Sequence, residues 1–165
     1  MNIRDLGFKV KQVMDSETAS YDKFMAAAEG HPIKMRSGDI VLYIEDDPDT
    51  VSMFKTMLAC YSTLRLLTAF TVAAGKELLE RKSGRVKCVV MDLDLGLADG
   101  GVAGGEDLLS WLEAEHPDVP VVVFTGHAEL VTELNRVHPL AEVIVKASDM
   151  QNLVRVIETK MQGVA

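Results

Sequence analysis

Five short β-branched runs alternate with segments of helical periodicity from residue 40 onward, and few folds accommodate that alternation. The apolar runs are Ile40–Ile44, Leu64–Thr68, Cys88–Met91, Val121–Phe124 and Val143–Val145. Three are nearly continuous in Val, Ile and Leu, as strands covered on both faces should be. Leu64-Arg65-Leu66 is more mixed and suits an edge strand. Between the runs lie five helical segments. Asp47-Pro48 reads as an N-cap followed by proline at the first helical position, and Val51, Phe54 and Leu58 then share a face. Residues 72–82 form the second helix, stopped by Ser83-Gly84. The third begins near Gly105, carries Leu108, Leu109 and Leu112, and has Glu106 and Asp107 in its first turn, where the helix dipole favours acids. The fourth runs from about 127 to 136 and ends before Pro139. The fifth opens with Ser148-Asp149-Met150-Gln151, a capping box, and has Leu153, Val156, Ile157 and Met161 along its stripe.

Right-handed crossovers turn this pattern into an α/β fold: a doubly wound (βα)5 parallel sheet with flavodoxin-like strand order 2-1-3-4-5. The chain of 165 residues divides into a helical N-terminal extension, 1–38, and the α/β domain, 39–165. In the extension Ile3, Leu6, Val10 and Val13 repeat at helical spacing, and a second helical stretch of about 16–29 ends at Gly30. Such a stripe suits covering an edge of the domain, a homodimer contact, or docking of another protein.

Composition narrows the function. The formal net charge of -8 argues against a broad nucleic-acid surface, which needs clustered Lys and Arg. No apolar run approaches the ~20 residues that span a bilayer, and the N-terminus has no signal-peptide core, so a cytoplasmic location without membrane contact is expected. Cys60 and Cys88 have no metal spacing, lie in apolar runs, and are expected to be reduced and buried.

Doubly wound sheets place their sites beyond the carboxyl ends of the strands. There the sequence puts Glu45-Asp46 after the first strand, Asp92 after the third, Thr125 after the fourth and Lys146 after the fifth. Three carboxylates converging at about 4 Å would repel by roughly 4 kcal/mol per pair at an effective dielectric of 20. A divalent cation relieves that repulsion, and hard oxygen ligands with room for water and phosphate suit Mg²⁺. A carboxylate can attack phosphorus to give an aspartyl phosphate, with a lysine and a hydroxyl neutralising phosphoryl oxygens. The set therefore makes a phosphoryl-transfer site.

In "DIVLYIEDDPDT", "VVMDLDLG", "PVVVFTG" and "VIVKA", the order acidic pair, Asp, Thr, Lys resembles the receiver domain of two-component response regulators over about residues 39–162. The resemblance implies that Asp92 is the phosphoacceptor. It makes Asp46 the direct Mg²⁺ ligand, with Glu45 its acidic partner through water, and Asp94 a metal ligand through its backbone carbonyl. It makes Thr125 the switch hydroxyl and Lys146 the contact to the phosphoryl group. It implies a signalling domain rather than an enzyme, catalysing only its own phosphorylation and dephosphorylation. The phosphoryl donor would be a sensor histidine kinase or histidine phosphotransfer protein, and output would pass to a downstream protein target or an effector domain outside this chain.

The sequence departs from that family at several positions. Val143 stands where a Tyr or Phe usually moves with the threonine, so a non-standard switch is expected. Ala147 replaces the usual proline after the lysine, which implies either a trans bond with a shifted loop or a cis bond costing about 2.5–4 kcal/mol. Gly96 replaces the common proline after "DLDL". The Gly-rich stretch 96–105 holds about five extra residues if Gly105 is the glycine the family needs before its third helix, and Asp99-Gly100 offers a rival alignment. It suits either a tolerated surface insertion or a flexible lid beside Asp92. His127, two residues after Thr125, sits where the resemblance implies influence on hydrolysis of the aspartyl phosphate. His31, His116 and His138 have no ligand spacing, and Trp111 reads as a packing residue.

Two other functions fit parts of the pattern. A haloacid-dehalogenase-type phosphatase would use Asp92 as nucleophile and Asp94 as general acid, but its distal acidic motif follows the lysine, whereas Glu45-Asp46 precedes it. A receiver-like scaffold that signals without phosphorylation would accommodate Val143 and Ala147.

Overall fold

The computed structural model describes residues 39–62, 64–82, 84–96, 104–146 and 150–162. The readings of 1–38, of 97–103 within the Gly-rich stretch, of the Ser148-Asp149 cap and of the Lys146–Ala147 bond lie outside the described residues. The elements run β1 Ile40–Ile44, α1 Pro48–Tyr61, β2 Arg65–Ala69, α2 Val72–Arg81, β3 Val86–Met91, α3 Gly104–Glu115, β4 Val121–Thr125, a 3-10 turn Ala128–Leu130, α4 Val131–Val137, β5 Glu142–Val145 and α5 Met150–Gln162. All four strand pairings are parallel, in the order β2-β1-β3-β4-β5. The expected architecture and strand order are therefore present, and β2 is an edge strand, one residue later than its apolar run suggested.

The alternation of side chains along β1 builds both layers. Ile40, Leu42 and Ile44 pack with Leu79 of α2, Leu108, Leu109 and Leu112 of α3 and Leu134 of α4. Val41 and Tyr43 face the other way, onto Val51, Phe54 and Leu58 of α1 and Leu153, Val154 and Ile157 of α5. Both faces of β1 are thus covered, which is why its sequence is apolar at every position. Each large apolar side chain buried this way contributes about 1.5–3 kcal/mol.

Local chemistry sets the helix boundaries. The Asp47 carboxylate caps α1 by accepting from the backbone N–H groups of Asp49 at 3.2 Å and Thr50 at 3.1 Å, with Pro48 at the first helical position. The Thr50 hydroxyl also donates to Asp47. The fourth helical segment splits into the 3-10 turn and the shorter α4.

Cys60 departs from expectation: it is exposed, whereas Cys88 is buried. At 3.6 residues per turn, Cys60 lies about 200° around α1 from the buried Leu58, on the solvent side. Trp111 packs half-buried against the α2–α3 side of the core. The Lys76 ammonium sits 4.6 Å from its ring centroid, and His116 meets it edge-on at 4.9 Å.

Candidate functional site

Parallel pairing carries all five sequence-derived positions to one edge of the sheet. Ile44 pairs with Met91, and the Asp92 N–H donates to the Ile44 carbonyl at 3.0 Å, so the ends of β1 and β3 are level. Thr125 pairs with Val145, and the Lys146 N–H donates to the Thr125 carbonyl at 2.7 Å. Glu45, Asp92 and Thr125 are buried there, with exposures of 1%, 3% and 0%.

Lys146 joins the carboxylates. Its ammonium donates to Asp92 Oδ2 at 2.7 Å and to Glu45 Oε2 at 2.8 Å. Burial on its own would lower the Lys146 pKa, but the bonds to Asp92 and Glu45 outweigh it and the net shift is upward. Burial raises the Glu45 carboxyl, and the Asp92 charge adds to that against the opposing pull of Lys146. The other Asp92 oxygen, Oδ1, accepts from the Leu93 N–H at 2.7 Å.

One oxygen each from Glu45, Asp46 and Asp92 lies within 4.8 Å of the others, the one group of three or more such ligands among the described residues. Three carboxylates against one ammonium leave excess negative charge, the condition a divalent cation meets. Asp46 is half-buried and receives the Gly96 N–H at 3.3 Å. Gly96 can make that turn because its φ is +81°, a conformation glycine adopts without steric cost.

The Thr125 hydroxyl oxygen accepts from the His127 N–H at 3.1 Å, which forms a tight turn under the loop. The Asp94 carboxylate engages His127 Nε2 at 2.9 Å, and His127 Nδ1 meets Glu129 at 2.7 Å. Hydrogen bonding to Glu129 and then to Asp94 raises the His127 pKa above its usual value. His127 thus bridges the loops after β3 and β4.

Two buried polar residues escaped the sequence reading, one at the site and one at the opposite edge of the sheet. The Tyr43 hydroxyl donates to Glu45 Oε2 at 3.0 Å beneath the site, with its ring packed edge-on to Phe54 at 4.7 Å. Burial, followed by the Glu45 charge, raises its pKa. The available signal was a phenol within an apolar strand, two residues before Glu45 and therefore on the same face. The second is His138, read as having no ligand spacing. It is buried and its Nδ1 lies 2.7 Å from Glu113 Oε2, a pairing 25 residues apart that no local pattern announces.

Gly105 packs against the site loop. A Cβ there would stand 2.2 Å from the Leu93 carbonyl oxygen and 2.5 Å from Leu93 Cα. Gly105 is therefore a glycine that α3 needs against the Asp92 loop, while the rival Asp99-Gly100 lies outside the described residues.

Structural comparison finds the same architecture in other proteins. A response regulator receiver domain protein from Clostridium thermocellum superposes with a TM-score of 0.64 at 21% identity, covering 75% of this chain and 94% of that one. A CheY-like receiver domain protein from Methanospirillum hungatei JF-1 gives 0.62 at 20%, covering 76% and 95%. NtrX from Brucella abortus, solved in complex with ATP, gives 0.64 at 22%, covering 77% of this chain and 28% of that one. At such identities these likenesses establish the fold. No curated protein sequence matches the chain. The family model for the response regulator receiver domain matches residues 41–158. That span takes in Glu45-Asp46, Asp92, Thr125 and Lys146, and the chain belongs to the response regulator receiver domain family.

Proposed function

We propose that this domain accepts a phosphoryl group on Asp92 from a phosphohistidine and signals the change through protein contacts. The observation that carries the reading is Lys146, whose ammonium bridges Asp92 and Glu45 within 2.8 Å beside Asp46. The receiver fold supports general phosphorelay signalling, and these side chains support the finer chemistry proposed for it.

Magnesium fits the donor set. Asp46 and Asp92 would hold the ion with the Asp94 backbone carbonyl. Glu45 would act through water, because its Oε2 already receives Tyr43 and Lys146 and its Oε1 receives the Asp47 N–H at 3.2 Å. Bound there, Mg²⁺ supplies the positive charge that offsets phosphoryl oxygens. An Asp92 carboxylate oxygen attacks phosphorus and forms an O–P bond. The P–N bond to the donor imidazole breaks, and its electron pair returns to the ring nitrogen. The Lys146 ammonium then shifts its contact from the carboxylate to a phosphoryl oxygen. Thr125 reorients its hydroxyl toward the phosphoryl group and gives up the turn bond from the His127 N–H.

Val143 takes the position on β5 where an aromatic ring usually responds. It is half-buried, paired with Val123, and packed against the α2–α4 side of the core. A compact β-branched side chain cannot swing as a ring does, so the switch runs through the Thr125–His127 turn. The domain turns over only its own phosphoryl group, works in the cytoplasm, and takes phosphate from a sensor histidine kinase or phosphotransfer protein.

The test is intact mass after incubation with acetyl phosphate, with and without Mg²⁺, beside Asp92→Asn. A phosphoryl adduct that needs both Mg²⁺ and Asp92 is expected. No adduct, together with no binding of beryllofluoride, would overturn the reading in favour of a phosphorylation-independent module. Turnover of a free phosphomonoester would favour the phosphatase.

A further inference from the structure

The edge of the sheet opposite Asp92 carries a second polar feature. The turns that lead into β4 and β5, with the C-terminal ends of α3 and α5, enclose a cleft of about 330 Å³. Its walls include Leu112, Val119, Pro120, Val121 and Leu140, and Glu113, Asp118 and Lys160 also line it. Glu113 stands beside Leu112 and Val119 on the mainly apolar side of the cleft. Its Oε2 is engaged by His138 Nδ1 at 2.7 Å, while its Oε1 is buried without a hydrogen-bond partner. A buried carboxylate oxygen left unpaired costs more than an ordinary hydrogen bond contributes, so a small turn of the Glu113 side chain toward a donor in the cleft is favourable.

The lining selects the donor's charge. Two carboxylates, Glu113 and Asp118, stand against Lys160 and two imidazoles: the Lys160 ammonium is already held by Glu142 at 3.2 Å, His116 is packed edge-on to Trp111, and His138 engages only Oε2 of Glu113. A cation with an aliphatic stem matches an acid at the end of apolar walls. The mouth indicates the cation's source. Leu140 is 65% exposed on the rim, and Val137, three residues earlier, is 49% exposed. Exposed apolar side chains beside a cleft suit a polypeptide lying across them more than a free small ion.

We infer that this cleft is a docking site for a partner polypeptide, which seats an arginine or lysine side chain against Glu113 and lays apolar neighbours on Leu140 and Val137. The cleft lies at the edge of the sheet opposite Asp92.

The test is an amide NMR titration of the full chain with three probes: the peptide acetyl-Leu-Arg-Leu-amide, the same peptide with citrulline for arginine, and ethylguanidinium. The arginine peptide is expected to shift Glu113, Val119, Leu140 and Ala141 saturably, and more tightly than the other two. Glu113→Gln is expected to weaken it about tenfold, the worth of one charge-assisted hydrogen bond. Should Glu113→Gln fail to fold, Asp118→Lys on the exposed turn supplies the same readout by placing a like charge at the cleft. Equal binding of the citrulline peptide would overturn the cationic assignment. Equal binding of ethylguanidinium would overturn the polypeptide source. Absence of saturable shifts around Glu113 would overturn the site.

Discussion

Replacing Gly105 with alanine tests how closely α3 packs on the phosphoacceptor loop. The added Cβ would lie 2.2, 2.5 and 2.7 Å from the Leu93 O, Cα and C atoms. Ordinary contact begins at 3.4 Å, so α3 and the loop must separate by 3.4 minus 2.2, or 1.2 Å. The obstacle is backbone, and no rotamer change relieves it. Overpacking of this kind costs about 1–3 kcal/mol and sometimes more. The better helix propensity of alanine offsets about 1 kcal/mol at most. A net loss of about 1–2 kcal/mol lowers Tm by roughly 2–8 °C in a domain of this size. Gly104→Ala is the control, since its Cβ would meet the Leu95 oxygen at 3.1 Å and a Val72 methyl at 3.2 Å, contacts that yield to a small shift. Thermal melts by circular dichroism of both variants beside the parent check the difference. Because the Leu93 N–H holds Asp92 Oδ1 at 2.7 Å, the rate of adduct formation with acetyl phosphate is also expected to fall in Gly105→Ala. Equal melting temperatures for Gly104→Ala and Gly105→Ala would refute the close packing and return the alignment to Asp99-Gly100.

Three further outcomes are expected. Lys146→Met leaves Glu45 and Asp92 buried without their ammonium, and urea unfolding at neutral pH should show a loss of about 2–4 kcal/mol, at the lower side of a broken buried pair because Lys146 is a quarter exposed. The His127 imidazole should titrate above its ordinary value of about 6.5, and Glu129→Gln or Asp94→Asn should bring the NMR midpoint down. Since the raised pKa belongs to the folded state, the associated stability is complete below about pH 6.5 and is lost as pH rises through the native value. Cys60 should react with a thiol reagent in the native protein while Cys88, buried and with its thiol pushed up to about 12, reacts only on unfolding.

Strand periodicity and the residues at strand ends were legible because they are local. Each apolar run declares its own burial, and a parallel (βα)5 winding sends every strand's carboxyl end to one edge. The sequence alone therefore determines that Glu45, Asp46, Asp92, Thr125 and Lys146 share one edge. Cys60 was misread because an apolar run does not show which side of a helix faces water until the neighbouring Leu58 is seen at 2% exposure.

Contacts that depend on how separate loops meet were decided by the tertiary structure. The Tyr43 hydroxyl reaches Glu45 because β1 pleats both toward α1 and the site. His127 finds Asp94 across 33 residues, and His138 finds Glu113 across 25. Gly105 approaches Leu93 because α3 descends onto the loop after β3. Periodicity is a property of one segment and survives in the sequence, whereas these contacts are distances between segments, which exist only once the sheet fixes where each strand ends.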